Sequence, residues 1–273
     1  MKLASLCSGY GGLDLAVESH FRNKGEKVET IWFAENNRNC SKIIKHHWGD
    51  IPNYGDIKII DWDSVPSCDI LTAGYPCQPF SHAGERKIND ERNIWEYIAN
   101  GISILRPEWV VLENVSAHLT LGGTSVVGSL ASMGYSLRYG IVRASDTFAP
   151  HQRSRWFCLA ADTSSERHGR RQNNREVGDF IKKMGSKAWD TTREKFGHRV
   201  SEDYGEYTEA IRRWEKITRP MPKDDYLLFV EWMMGLPEGW VTGHGLSRTA
   251  QLTMLGNGVM PLQGELALSL LDV

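Results

Sequence analysis

A single cysteine, Cys77, is the strongest candidate for covalent chemistry. It lies in the string GYPCQPFSHAG, directly after the apolar run 70–74, which predicts a buried strand bounded by turn-forming residues. A thiol on a stiff loop at the end of a strand is placed where α/β proteins keep their chemistry, and its thiolate would be a nucleophile. The alternative is a structural cysteine, because a lone cysteine is usually a packing residue.

Two further strings offer groups that could support a nucleophile. Glu113 ends the apolar strand of VVLENVSAHL, so its carboxyl is a candidate for a desolvated group that stays protonated. Arg153 and Arg155 alternate in APHQRSRWF, and we expect them to share one face of an incoming strand, where they could bind phosphate or carboxylate. A helix-cap or salt-bridge carboxylate and solvent-exposed arginines are the alternatives.

A glycine-rich loop predicts a nucleotide-like cofactor. Gly9, Gly11 and Gly12 follow the first predicted strand and precede a helix, so backbone N–H groups could approach a ligand closely. Glu35 ends the second strand and could accept hydrogen bonds from ribose hydroxyls, or it could be an ordinary acid at a helix start. Residues 256–258, Gly-Asn-Gly, predict a turn before the last helix.

The elements that must position these groups alternate between strand and helix. This rhythm predicts an α/β fold, a doubly wound and mostly parallel sheet with helices on both faces. We predict strands at 2–7, 28–34, 68–73, 109–112, 135–142 and 156–161, and helices at 13–21, 39–48, 94–105, 124–133 and 262–271.

Composition limits the possible classes of function. The 273 residues are 41% hydrophobic and 24% charged, with a net charge of -2, so a nucleic-acid site would have to be a local patch. The five cysteines have no C-x-x-C spacing, which argues against a zinc site, and we expect no bound metal. Reduced thiols, no signal peptide and no long apolar run predict a cytoplasmic protein.

One segment is basic and lacks the strand–helix rhythm. From 162 to 225 the chain is polar, and residues 166–200 carry ten Lys or Arg against five acids, a local net charge of +5. This charge would neutralise DNA phosphates. A flexible surface insertion is the alternative.

Taken in order, these strings resemble the DNA cytosine-5 methyltransferase family over residues 1–161 and 232–273. Pro76-Cys77-Gln78 is similar to the family's nucleophile motif, Glu113-Asn114-Val115 to its E-N-V motif, and Gly256-Asn257 to its closing motif. The resemblance implies a catalytic domain at 1–161 plus 232–273 and a small target recognition region at 162–231. It implies as catalytic residues Cys77, Gln78, Glu113, Asn114, Arg153 and Arg155.

The resemblance also implies a cofactor, S-adenosylmethionine, with S-adenosylhomocysteine as product. The implied cofactor residues are Ser8, Gly9, Tyr10, Gly11, Gly12, Leu13, Glu35, Asn36, Asp56, Ile57, Gly74, Pro76, Asn257 and Val259. The implied DNA-binding residues are Ser81, Arg86, Arg167, Arg170, Arg171 and Arg175.

The family mechanism implies attack of Cys77 on carbon 6 of a cytosine flipped out of double-stranded DNA, followed by methylation at carbon 5. We expect a monomer, not bound to a membrane, with a restriction endonuclease as a candidate functional partner. Three positions depart from the family pattern: Cys7 in place of Phe, His151 in place of Gln, and Gly258 in place of Ser or Ala. We expect the first to loosen cofactor binding.

Two other functions fit the same strings. A tRNA cytosine-5 methyltransferase shares the scaffold, although Pro79-Phe80-Ser81 after the nucleophile motif favours DNA. A non-catalytic DNA-binding relative is the other, although the presence of Cys77, Glu113 and Arg155 together argues against it.

Overall fold

The computed structural model describes residues 1–76, 94–164 and 204–272. Its strands form one sheet in the order β2-β1-β3-β4-β6-β5. Strand β6 is antiparallel to both β4 and β5, and the other pairs are parallel, so the predicted doubly wound, mostly parallel sheet is confirmed. The strands are β1 (Lys2–Leu6), β2 (Glu29–Ala34), β3 (Ile70–Ala73), β4 (Trp109–Val115), β5 (Tyr135–Arg143) and β6 (Ser154–Asp162).

Helices connect the strands and complete the carboxyl-terminal part. Several begin at a side-chain cap: Asn37 accepts from the N–H groups of Asn39 and Cys40 at the start of α2. In the described part of the chain, no helix is long and apolar enough to cross a membrane. The helices are α1 (Gly12–Asn23), α2 (Arg38–Trp48), α3 (Trp95–Leu105), α4 (His118–Leu121), α5 (Gly123–Ser132), α6 (Thr208–Ile217), α7 (Tyr226–Met233), α8 (Arg248–Asn257) and α9 (Pro261–Leu271).

Alternate residues of the central strands enter two different hydrophobic clusters. On β4, Val110 and Leu112 face the cluster that contains α3 and α5, whereas Val111 faces the cluster that contains α1 and α9. Strands buried on both faces need apolar residues throughout, which is why these segments are continuous apolar runs in the sequence.

A third cluster joins α6, α7 and α8 to the glycine-rich loop. Trp214 and Trp232 are fully buried in it with Tyr10, and Trp214 Nε1 donates to the carbonyl of Trp232 at 2.9 Å. Residues 204–231 therefore pack beside residues of the predicted catalytic part. The boundary at residue 232 stays a prediction.

Two local predictions were wrong. Gly256 and Asn257 form the last turn of α8 instead of a loop, and the N–H of Gly258 closes that turn on the carbonyl of Met254 at 2.8 Å. Arg153 lies before β6 with a φ of 30°, so it does not share a strand face with Arg155. The first difference reflects a local helical hydrogen bond, whereas Arg153 is held by carbonyls more than 100 residues away in the chain.

Candidate active site at the carboxyl ends of the strands

A cavity of about 830 Å³ opens where the carboxyl ends of β1, β2, β3 and β4 meet. The chain order of the sheet reverses between β1 and β3, which is the position where doubly wound sheets bind ligands. Most of the predicted site residues in the described part of the chain line it. These are Ser8, Gly9, Leu13, Glu35, Asn36, Asp56, Ile57, Gly74, Pro76, Glu113, Asn114, Arg155, Asn257 and Val259.

Glu35 holds the glycine-rich loop against the start of α2. Its two carboxyl oxygens accept from the N–H groups of Gly9 at 2.8 Å and Asn37 at 2.7 Å. Burial raises the pKa of Glu35, while these two hydrogen bonds oppose the rise. Each oxygen has a second lone pair, so the carboxyl can also accept from a ligand in the cavity. The structural and the ligand-binding interpretation of Glu35 are therefore compatible.

Three predicted cofactor residues, Tyr10, Gly11 and Gly12, do not line the cavity. Tyr10 packs in the third cluster, and its hydroxyl donates to the carbonyl of Val259 at 2.7 Å. A Cβ atom at Gly11 would lie 2.2 Å from the Trp48 ring, and one at Gly12 would lie 2.0 Å from the Val259 carbonyl oxygen. These residues pack on the side of the loop away from the cavity, and the close contacts explain why positions 11 and 12 are glycine.

Asp56, an implied cofactor residue, and Cys7, the departure expected to loosen cofactor binding, both line the cavity. Asp56 caps a 3-10 turn, and its side chain accepts from the N–H of Lys58 at 3.0 Å. Burial, with the negative charges of Glu35 and Asp56, raises the pKa of Cys7 to about 12. Cys7 is therefore a small wall residue whose thiol stays protonated at neutral pH.

Glu113 and Arg155 form the charged pair of the cavity wall. Arg155 Nε lies 3.1 Å from Glu113 Oε1, but the geometry is not that of a hydrogen bond, and Oε1 has no hydrogen-bond partner among the described residues. Burial raises the pKa of Glu113 to about 7 against the opposing effect of Arg155 and Arg153. The carboxyl can thus carry a proton near neutral pH, and it keeps unused hydrogen-bonding capacity.

Arg153 has a different position from the one its spacing predicted. Its Nη2 donates to the carbonyls of Gly256 at 3.0 Å and Gly258 at 2.6 Å, so it holds the end of α8 and does not line the cavity. Two residues earlier, His151 stands where the family usually has Gln, and its Nε2 atom lies 2.9 Å from the carbonyl oxygen of Met233.

The segment that leads to the predicted nucleophile is held by Asn114. Its Nδ2 donates to the carbonyl of Tyr75 at 3.1 Å, and its Oδ1 accepts from the N–H of Val115 at 2.8 Å. Pro76 is the last described residue before the predicted nucleophile. The predicted residues Cys77, Gln78, Ser81, Arg86, Arg167, Arg170, Arg171 and Arg175 lie outside the described residues.

Sequence reasoning missed a buried polar network beneath the loop. Asp14 is fully buried and accepts from Ser5 Oγ at 2.9 Å and Thr72 Oγ1 at 2.6 Å, and Ser5 Oγ also bonds Ser8 Oγ at 2.7 Å. Ser5, Ser8 and Thr72 line the cavity. The only signal in the sequence was an acidic residue inside the apolar string Leu13-Asp14-Leu15-Ala16-Val17.

Among the described residues, no three His, Cys, Asp or Glu side chains are grouped so that they could hold a metal ion.

Comparison with known proteins points to one family. A family model described as C-5 cytosine-specific DNA methylase matches residues 1–227. The chain is 32% identical over 170 residues to the Type II methyltransferase M1.ScrFI of Lactococcus lactis subsp. cremoris, covering 60% of this chain and 42% of that protein. It is 28% identical over 223 residues to the Type II methyltransferase M.DsaV of Dactylococcopsis salina, covering 79% of this chain and 58% of that protein. The matches thus span about half the length of these relatives.

Among solved structures, the crystal structure of S. pombe Dnmt2 methyltransferase is similar with a TM-score of 0.65. The match covers 99% of this chain and 98% of that one at 17% sequence identity. At this identity the likeness shows the fold alone, and it agrees with the doubly wound sheet.

Proposed function

The chain belongs to the C-5 cytosine-specific DNA methylase family, and on that basis we propose that it transfers a methyl group from S-adenosylmethionine to carbon 5 of cytosine in double-stranded DNA. One observation carries the proposal. Glu113, a carboxyl that holds a proton near neutral pH, faces the same cavity as the glycine-rich loop and Glu35. A carboxyl that could bind a cytosine ring and a wall that could bind a nucleoside cofactor therefore line the same cavity.

The cavity fits S-adenosylmethionine in size and in polar groups. Its volume lies within the range of roughly 300–1,000 Å³ that is usual for small-molecule sites. Glu35 would accept from the ribose hydroxyls, Asp56 from the adenine amine, and the backbone at Gly9 allows a close approach. When bound, S-adenosylmethionine supplies an electrophilic methyl group, and S-adenosylhomocysteine is the product.

Cys77 is the proposed nucleophile. Carbon 5 of cytosine is too weak a nucleophile to be methylated unaided, but a bond from the Cys77 sulfur to carbon 6 turns the ring into an enamine whose carbon 5 is nucleophilic. Asn114, which holds the carbonyl of Tyr75 at 3.1 Å, would support the start of this segment. Gln78 and Ser81 would close over the base.

Glu113 would act as the general acid at the cytosine ring. Its carboxyl would donate to ring nitrogen 3 and accept from the exocyclic amine as negative charge develops after the attack. Arg155 would keep Glu113 oriented and contact the ring carbonyl. After methylation a base removes the proton from carbon 5, the carbon–sulfur bond breaks, and Cys77 leaves as the thiolate.

The target base would be extruded from the duplex, since neither face of a stacked cytosine is open to a thiol and a methyl donor together. We propose residues 162–231 as the target recognition region and 1–161 plus 232–273 as the catalytic domain. The net charge of +5 over residues 166–200 supports phosphate contacts in this region.

The cellular setting is part of the proposal. Two similar proteins are named Type II methyltransferases, which supports a restriction endonuclease as functional partner. We propose a monomer that acts in the cytoplasm on cellular or phage DNA.

Covalent trapping tests the mechanism directly. Duplex DNA carrying 5-fluorocytosine should form a stable adduct with the protein in the presence of S-adenosylmethionine, because fluorine cannot leave as a cation in the final elimination. Peptide mass spectrometry should place the adduct on Cys77, and Cys77→Ser should form none while it still binds DNA.

Transfer of labelled methyl groups to duplex DNA, to tRNA or to neither separates the alternatives. Labelling of tRNA alone would replace DNA as the substrate. An adduct on Cys7, Cys40, Cys68 or Cys158, or near-normal turnover by Cys77→Ser, would overturn the nucleophile assignment.

A further inference from the structure

Tyr75 is tethered at two points where the chain enters the Pro-Cys-Gln segment. It is buried, and its carbonyl accepts from Asn114 Nδ2 at 3.1 Å. Its hydroxyl lies 2.8 Å from Nε2 of His118, the first residue of α4. Asn114 belongs to β4 and α4 follows it closely, so backbone and side chain of Tyr75 are both bound to the same neighbouring unit.

His118 is a neutral partner for the Tyr75 phenol. It is 2% exposed, and burial lowers its pKa to about 4, so the imidazole is uncharged at physiological pH. Its ring packs edge-on against Tyr75, with centroids 5.5 Å apart, and against Trp156 at 5.1 Å. The hydrogen bond is therefore buried among aromatic rings at the cavity wall, where loss of one partner leaves the other unsatisfied.

The hydrogen bond between Tyr75 and His118 restricts the orientation of the Tyr75 ring more than an apolar contact of the same size would. The Tyr75–His118 bond forms in one arrangement of ring and helix only, because hydrogen bonds are directional and packing contacts are not. The next residue, Pro76, has its φ held near −65° by its ring. The two hydrogen bonds of Tyr75 and the fixed φ of Pro76 thus restrain the chain as far as Pro76.

We propose that Tyr75 and His118 are positioning residues that aim Cys77 at the target base, in addition to Asn114. The proposal rests on the role of Cys77 given under "Proposed function". Neither side chain needs to touch the base. Their hydrogen bond acts through Pro76 by limiting the positions open to the thiol, and misplacement of a reacting group by about 1 Å costs on the order of 100-fold in rate.

Tyr75→Phe tests the proposal, because it removes the hydroxyl and keeps the ring. With one of two tethers lost, we expect kcat and the rate of 5-fluorocytosine trapping to fall about tenfold, while the KM for S-adenosylmethionine stays within about twofold. Tyr135→Phe is the matched control, since Tyr135 is also buried and donates its hydroxyl to the carbonyl of Pro107 at 2.8 Å, away from the cavity. It should lower the melting temperature without slowing trapping.

His118→Phe should reproduce the slow trapping of Tyr75→Phe, and it replaces that variant if Tyr75→Phe does not fold. The double variant should be no slower than either single one, because the bond is already lost. Trapping by Tyr75→Phe as fast as by Tyr135→Phe would overturn the proposal, as would additive losses or a loss confined to KM. If the unsubstituted protein forms no adduct on Cys77, the proposed function fails instead.

Discussion

Burial decides the protonation of Glu113. Its pKa is raised to about 7, mainly because the charged form is poorly solvated, and the nearby arginines only partly offset this. A carboxyl with this pKa is half protonated at neutral pH and can give up and recover a proton in one catalytic cycle. Arg155 at 3.1 Å keeps it oriented without a directed hydrogen bond to Oε1.

Glu113→Gln should therefore impair chemistry and spare cofactor binding. Glutamine keeps the shape but supplies no proton to ring nitrogen 3, so we expect kcat to fall about 100- to 10,000-fold. Calorimetric binding of S-adenosylhomocysteine should be unchanged. Activity of the unsubstituted enzyme should fall as pH rises above about 7, where Glu113 ionises. A loss of kcat below about tenfold would make Glu113 a structural residue.

Asp14 is a second buried carboxyl with a raised pKa. Burial raises it from 3.8 to about 7, although Thr72 and Ser5 donate hydrogen bonds to it. Between pH 3.8 and about pH 7, Asp14 is protonated in the folded protein and ionised in the unfolded chain. Low pH in this window therefore favours the folded state. Stability contributed by Asp14 is lost as pH rises through about 7.

Asp14→Asn should remove this part of the pH dependence. Measured by urea unfolding at pH 5 and pH 8, the free energy of unfolding of the unsubstituted protein should fall by on the order of 1–4 kcal/mol more than that of Asp14→Asn. Thr72→Val is the control, because it removes a hydrogen-bond donor and keeps the carboxyl, and it should retain the pH dependence. Parallel profiles for the unsubstituted protein and Asp14→Asn would contradict this assignment.

At the scale of elements, the junction between α8 and α9 supports the glycine-rich loop. The hydroxyl of Tyr10 donates to the carbonyl of Val259 at 2.7 Å, and the Trp240 indole donates to the carbonyl of Tyr10 at 3.0 Å. A Cβ atom on Gly258 would lie 1.9 Å from the Tyr10 ring. The buried Tyr10 ring thus leaves no room for a side chain at position 258, where this chain departs from the family pattern by having glycine.

Gly258→Ala should destabilise the protein by about 1–3 kcal/mol, the usual cost of overpacking a core. Tyr10→Leu should also destabilise the protein, because it removes a fully buried side chain and its hydrogen bond to Val259, but the double variant should lose less than the sum of the two single losses. Gly256→Ala is the control, because it lies in α8 with nothing within 4 Å of the new Cβ and should stabilise the helix slightly. Thermal unfolding of the four variants checks this, and additive losses in the double variant would show that Tyr10 is not the obstacle.

At the scale of the whole molecule, charge is distributed unevenly. The net charge is -2, yet residues 166–200 carry a local charge of +5. A near-neutral molecule gives little long-range attraction to DNA, so phosphate binding depends on local groups.

Neutralising the four arginines of the basic segment should weaken DNA binding and leave cofactor affinity intact. Each lost phosphate contact should reduce the slope of log affinity against log salt by about 0.9. The control neutralises described cations near the amino-terminal edge of the sheet, which do not line the cavity. An unchanged salt slope would show that the basic segment does not contact DNA. The test set is Arg167, Arg170, Arg171 and Arg175, and the control set is Lys2, Arg22 and Lys27.

The strand segments, their order along the chain and the loops that follow them could be predicted from the sequence. Strands buried on both faces require continuous apolar runs, and glycine or proline must follow where the chain turns, so residues 70–76 could be interpreted locally. Gly9, Glu35 and Glu113 were each expected at or just after the end of a strand. Because the carboxyl ends of parallel strands meet at one edge, the folded sheet brings the three residues to one cavity.

Long-range contacts, which local sequence does not contain, place some predicted site residues in the cavity wall and others in the packing behind it. Tyr10 turns into the third cluster because Val259, 249 residues away, offers its carbonyl, and Arg153 leaves the strand because the carbonyls at the end of α8 accept its guanidinium. The protonation of Asp14 and Glu113 likewise follows from burial by distant segments. Local sequence contains none of these long-range contacts, since burial and hydrogen-bond partners exist only once the chain has folded.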